Sequence, residues 1–145
     1  MDRPHPLPAT AFPHVTYITT RWMDNDVYGH INNVVYYSFF DTAVNGYLVA
    51  QGALDIANGE VIGLVVETRC TYFKPVAFPD RVRAGLRVAH LGRSSVRYEV
   101  GIFRNDEMQA AAQGHFVHVY VDRASGRPAP LPDALKRALV KLEVA

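Results

Sequence analysis

The chain predicts an α+β fold: a curved antiparallel sheet of five strands wrapped around one long central helix. Three observations carry this reading. Residues 31 to about 51 have helical composition, stop at Gly52, and are apolar around nearly the whole circumference. One β-branched segment precedes that helix and four follow it. The links between the last three segments, "GRS" and "RNDE", are hairpin-short, so those strands should meander antiparallel.

In chain order, "HVTYITTRW" (14–22) is β-branched and aromatic and reads as a strand. Residues 23–30 are turn chemistry, with Gly29 free to take a backbone shape other residues resist. The helix brings Val34, Val35, Tyr36, Tyr37, Phe39, Phe40, Val44, Tyr47, Leu48 and Val49, and a helix apolar all round should be buried all round. "VIGLVVETRCTYFKPV" (61–76) is a long strand. "RVRAGLRVAHL" (81–91) alternates, with Val82, Ala84, Leu86 and Val88 on one face and Arg81, Arg83 and Arg87 on the other, a solvated outer stripe. "SSVRYEVGIF" (95–103) aligns Val96, Tyr98, Val100 and Ile102, and "QAAAQGHFVHVYVD" (109–122) is the last strand. A Pro-rich turn then leads to a short amphipathic helix, "DALKRALVKL". A sheet of this size either curls around its helix or leaves part of it for a second copy. Its free edges also favour self-association.

With 145 residues the expectation is one domain over 15–145, preceded by an extended or disordered Pro-rich segment, 1–14. A net charge of +1 gives no argument for a nucleic-acid partner. Lone Cys70 excludes an internal disulfide and fits a reducing compartment. The N-terminus lacks the apolar core of a signal peptide. The longest apolar stretch, 34–50, is broken by Asp41, Asn45 and Gly46, which argues against membrane insertion. The expected location is cytoplasmic.

Several familiar chemistries fail on pattern. The four serines, Ser38, Ser94, Ser95 and Ser125, lie in no G-x-S-x-G elbow, and no Gly-rich phosphate loop appears. His115 and His118 stand three apart on a strand, hence on opposite faces, so no metal site is expected. Cys70 sits mid-strand with nothing to activate it and reads as core or interface. What remains is Asp24-x-Asp26 in a loop, followed by a helix start at His30–Asn33. Free N–H groups at a helix N-terminus can hold an oxygen that becomes negative. A carboxylate just upstream can activate water or attack as a nucleophile. Together these suit acyl transfer. By spacing alone, simple helix capping by Asp and Asn explains the same residues.

The run "D-x-D-x-x-G-H-I-N-N-x-x-Y-x-x-F-F-D" in residues 24–41 resembles the signature of the 4-hydroxybenzoyl-CoA thioesterase family of hotdog proteins. "ETRCTYFKPVAFPDRV", the "GRSS" turn and "AQGHFVHVYVD" are similar to later parts of that pattern, so the resemblance spans roughly residues 15–133. It implies a hotdog fold and an acyl-CoA thioesterase assembled as a dimer or a dimer of dimers, with sites at the dimer interface and no cofactor, CoA being part of the substrate. Position by position, it implies that Asp26 is the catalytic carboxylate and that the Asn33 backbone N–H polarises the thioester carbonyl. Gly29 would give the approach turn, His30 and Asn32 would shape the loop, and Asp24 would position it. The chain has Asp41 where the family often has Glu, and as the only carboxylate within the central helix, a place some other hotdog thioesterases use, Asp41 is a rival. For CoA phosphates the first choice is Arg93 with Ser94 and Ser95, then Lys74. Tyr36 is a candidate for the acyl pocket. Two other readings stay open: a hydratase or dehydratase on acyl thioesters using His30, and a non-catalytic acyl-CoA-binding module.

Overall fold

A computed structural model describes residues 4–144. Strand β1 (His14–Thr19) precedes helix α1 (Asn33–Ala50), strands β2 (Val61–Tyr72), β3 (Arg81–Leu91), β4 (Ser95–Arg104) and β5 (Ala112–Asp122), and helix α2 (Asp133–Val140). The five strands form one antiparallel sheet ordered β1-β3-β4-β5-β2, so β1 and β2 are its edges. The expected meander is present, β4 pairing with β3 on one side and β5 on the other. Irregular register at Val65/Glu67 in β2 and at Val88/His90 in β3 inserts one extra residue into each strand, a device that bends a strand locally.

The inner face is built by the alternation read from the sequence: Val82, Ala84 and Leu86 of β3 meet Val96, Tyr98, Val100 and Ile102 of β4, all fully buried. On this face lies one side of α1, through Tyr36, Phe39, Phe40, Ala43, Val44, Tyr47 and Leu48. The expectation of a long helix enclosed on all sides is corrected. The helix has 18 residues, starts two residues later than the pattern suggested, and leaves Val34 and Val49 exposed. Ile31 and Asn32 belong to the loop because the Ile31 N–H bonds Val76 O at 2.7 Å and Asn32 is the N-cap. Helix α2 closes the far end, where Tyr47 Oη donates to Ala138 O at 2.7 Å.

The outer face is covered too, which the composition of 1–14 did not suggest. Residues 1–3 lie outside the described residues. From residue 4 onward the segment is fastened by Leu7 N–H to Gln113 Oε1 (2.8 Å), Gln113 Nε2 to His5 O (2.8 Å) and Ala9 N–H to Met108 O (2.9 Å). Phe12 rests on Gly85 and Gly101, which face each other across β3 and β4. A Cβ on either glycine would come within 2.7 Å of the ring, so the pair forms a socket only glycine permits. The arginine stripe is correspondingly less solvated than expected. Arg87 donates to Glu99 at 2.7 Å and stands 5.3 Å from the Phe12 ring centroid, and Arg81 stacks on Tyr17 at 3.9 Å.

One polar cluster sits inside the core. Tyr98 Oη and Tyr120 Oη share a 2.6 Å hydrogen bond, and His118 packs between Tyr98 and Phe116. Burial pulls the His118 imidazole down to about 4, against 6.5 in an exposed ring. The unfolded chain therefore takes up that proton first. Stability present above pH ~6.5 drains away as the pH falls toward ~4, by about 3 kcal/mol at ~1.4 kcal/mol per pH unit. Urea melts at pH 7 and pH 4 should show wild type losing about 3 kcal/mol more than His118→Leu. A parallel decline of both proteins would mean that another group governs the acid limb.

Candidate active site

Residues 21–33 form a loop held on three sides. At its entrance a single 3-10 turn, Trp22–Asp24, buries the Asp24 carboxylate to 1% exposure. Such a group must be hydrogen-bonded, and here Oδ2 accepts the Arg21 N–H at 2.8 Å while Oδ1 accepts Arg21 Nε (3.0 Å) and Nη2 (2.8 Å). The loop then doubles back on itself: Asn32 N–H donates to Asp24 O at 2.9 Å and Asp26 N–H to His30 O at 2.8 Å. The reversal needs Gly29, whose φ of +79° is a left-handed backbone that side chains resist. The third tie runs to residues 76–78, through Ile31 N–H to Val76 O (2.7 Å) and Phe78 N–H to Asn25 Oδ1 (3.0 Å).

This reversal places Asp26 alongside His30, three residues before α1 begins. Oδ1 of Asp26 accepts the Tyr28 N–H at 2.9 Å, while Oδ2 has no partner among the described residues. Asn32 caps the helix by accepting the Val34 N–H at 3.1 Å. The neighbouring Asn33 N–H makes no hydrogen bond among the described residues and stands at the positive end of the helix. Capping and an open helix-start N–H thus coexist, on adjacent residues.

Beside Asn33 opens a cavity of about 290 Å³ lined by His30, Asn33, Tyr36, Tyr72 and Lys74, among others. Four of the residues picked from the sequence, His30, Asn33, Tyr36 and Lys74, therefore converge. Asp26, Gly29 and Asn32 belong to the adjoining loop and do not line it. Lys74 is already engaged with Glu107, which Arg104 Nε also holds at 2.6 Å. Those two cations keep the Glu107 carboxyl below the usual range, the hydrogen bond from Arg104 foremost. Burial raises the Tyr36 phenol to about 12 and the Cys70 thiol to about 11, so both are protonated at neutral pH. Asp41 is exposed on α1 and its carboxyl is raised by partial burial. Tyr72, not singled out from the sequence, donates from Oη to Asn33 O at 3.2 Å. Only its place on an alternating strand could have suggested that.

The expected CoA-binding set is divided. Arg93 lines a separate cavity of about 360 Å³ at the β3–β4 hairpin, together with Lys136 of α2. Its guanidinium is exposed and has no hydrogen-bond partner among the described residues. Ser94 and Ser95 serve the same hairpin with backbone oxygens, accepting from Tyr120 N–H (2.7 Å) and Gly92 N–H (2.8 Å). Within one chain, none of these three lines the cavity beside Asn33.

Residues 20–139 match the model of the Thioesterase-like superfamily, and the chain belongs to that family. The PA5185 protein of Pseudomonas aeruginosa strain PAO1 is similar at 54% identity, with a TM-score of 0.94 over 97% of this chain and 98% of that one. A thioesterase from Thermus thermophilus, crystallised with coenzyme A and Zn, shares 34% identity, with a TM-score of 0.75 over 91% of this chain and 95% of its own. YsmA of Bacillus subtilis (strain 168) is 24% identical over 140 residues, covering 97% of this chain and 94% of that protein. Among the described residues no helix is long and apolar enough to cross a membrane.

The loop geometry predicts that Asp24→Ala costs about 2 kcal/mol in urea unfolding, because several charge-assisted hydrogen bonds go with it. An unchanged midpoint would show that the Arg21–Asp24 contacts add nothing net to stability.

Proposed function

We propose that the protein is an acyl-CoA thioesterase of the hotdog type, hydrolysing R–CO–SCoA with water to the free acid and CoA–SH. The observation that carries this is the pairing of a half-free carboxylate, Asp26, with an unpartnered helix-start N–H, Asn33, beside a cavity. The thioester carbonyl oxygen accepts from Asn33 N–H, which stabilises the negative charge as the carbonyl is attacked. Asp26 acts through Oδ2, either taking a proton from the attacking water or attacking the carbonyl itself. In both routes the C–S bond breaks and the CoA thiolate leaves and takes up a proton; in the second, water then cleaves the mixed anhydride formed on Asp26, releasing the acid and restoring the carboxylate. Gly29 and Asn32 hold the reversal and the cap, His30 and Tyr36 line the acyl entry, and no cofactor beyond the substrate's own CoA is required. The coenzyme A bound to the Thermus thermophilus thioesterase supports a CoA ester as the substrate. The finer affiliation, to the 4-hydroxybenzoyl-CoA thioesterases, rests on the motif at 24–41.

Thiol release from a panel of short, long and aromatic acyl-CoAs should fall by at least ~10²-fold in Asp26→Asn. Equal rates would move the role to Asp41. Hydration of an enoyl-CoA without thiol release would identify a hydratase, and tight binding without turnover a binding module. Single turnover in ¹⁸O water tests the nucleophilic route: label in the Asp26 carboxylate requires an anhydride cleaved at the Asp26 carbon, whereas general-base catalysis labels only the product acid.

Self-association belongs to the same proposal. Edge strand β2 presents Leu64, Val65 and Val66 at 47%, 47% and 59% exposure, an apolar edge that monomers normally avoid. A homodimer paired through β2 covers it and lets the partner copy supply the Arg93–Lys136 cations for CoA phosphates. Light scattering on the purified protein should give a dimer or larger, and Leu64→Asp/Val66→Asp should give a monomer with little activity. A wild-type monomer at full activity would overturn the pairing.

A further inference from the structure

The end of α1 remote from the candidate loop borders a second cavity, of about 190 Å³. Leu48, Leu54 and Ile62 give it an apolar lining, and His118, Tyr120 and Gly63 also line it. Asp55 and Arg123 line it as well, and both are engaged: Asp55 Oδ1 accepts the Asn58 N–H at 3.1 Å, while Arg123 donates to Ile56 O at 2.8 Å and to Gly59 O at 2.6 Å. None of these residues lines the cavity beside Asn33.

His118 is 4% exposed, its Nε2 is buried without a partner, and no hydrogen bond reaches Nδ1 among the described residues. A buried polar ring left this way is costly unless something else completes it. Its surroundings settle which nitrogen is available. The ring stands edge-on to Tyr98, with centroids 5.0 Å apart, and tilted against Phe116 at 5.1 Å. Nε2 is fully buried while Nδ1 lies 3.4 Å from where a Gly63 Cβ would stand, so the hydrogen is assigned to Nε2. Nδ1 is then a bare acceptor. Burial keeps the ring neutral at pH 7. Across from it, Gly63 has no side chain. A Cβ there would lie 3.4 Å from His118 Nδ1 and 2.9 Å from Tyr120 Cε1, so the glycine leaves the space beside the acceptor open.

We propose that this cavity is a binding site for a small neutral hydroxyl compound, its O–H donating to His118 Nδ1 and its apolar body lying against Leu48, Leu54 and Ile62. The volume corresponds to about six waters at ~30 Å³ each, enough for a single six-membered ring. An anion or cation would lose its hydration without an unengaged opposite charge to replace it, since Asp55 and Arg123 already have partners. The site stands on its own residues and does not depend on the thioesterase reading.

The test is titration of the full ¹⁵N-labelled chain with cyclohexanol and, separately, with cyclohexyl methyl ether, which keeps the ring but cannot donate. The His118 Nδ1 resonance should move saturably with cyclohexanol, and the ether should bind roughly tenfold more weakly for lack of the hydrogen bond. His118→Leu, which removes an unpartnered polar group and should fold, should bind both compounds alike. Gly63→Ala should weaken both by filling the space. A His118 resonance unmoved by cyclohexanol, equal binding of the ether by wild type, or an unchanged preference in His118→Leu would each overturn the site.

Discussion

A carboxylate with 1% exposure persists only where its lone pairs are met, and at Asp24 a neighbouring residue meets them. Arg21 supplies its own backbone N–H and two guanidinium donors, so the acid, the turn and the end of β1 become one rigid unit. The Asp24 carbonyl in turn receives the Asn32 N–H. One buried acid therefore fixes both where the loop begins and where α1 is capped. Asp26 lies between those anchors. Its Oδ1 is held by the Tyr28 N–H, while Oδ2 has no partner among the described residues. An oriented carboxylate with one open oxygen is what the role proposed for Asp26 requires.

The sheet behind the loop is covered on both faces. Inward, the side chains of β3 and β4 are large and meet α1. Outward, two facing glycines admit Phe12, and the N-terminal segment is strapped down by Gln113. A Phe ring buried this way is worth a few kcal/mol, comparable with a sizeable part of a domain's net stability. The central strands are thus immobilised from both sides. What remains open is confined to the edges and to the outward side of α1.

That division explains what could be read from residues alone. β3 is legible to the residue because period-two alternation survives on a strand whose two faces differ in chemistry. The start of α1 is misplaced by pattern because Ile31 and Asn32 look helical, and only the distant Val76 carbonyl and the cap geometry exclude them. The β-branched pattern carries β2 through residue 76, yet Phe73 and Lys74 both turn their N–H groups to Ala111 O and leave the ladder. The Phe12 socket is invisible in the sequence, since it joins a Pro-rich segment to glycines more than seventy residues away. The loop is legible because Asp24, Asp26, Gly29, Asn32 and Asn33 act on one another over ten positions. Lys74 already being engaged with Glu107, and Arg93 lying in a different cavity, depend on tertiary placement that no local pattern carries.

The same logic bears on why one chain looks half-equipped for its proposed substrate. The cavity beside Asn33 has donors and a nearby carboxylate, but its one ammonium group is held by Glu107. Meanwhile Arg93, exposed and unpartnered among the described residues, stands with Lys136 at the β3–β4 hairpin. A nucleotide phosphate needs cations that are not already neutralised. Apolar residues are exposed on β2 and at Val34, close to the start of α1, which is the surface the proposed dimer would cover. A second copy fits these facts economically, because two-fold symmetry answers each chain's bare edge with the same edge and offers each cavity the other chain's hairpin. On that argument the outward residues of α1, Val34 and Val49, would be covered by the partner of the proposed dimer.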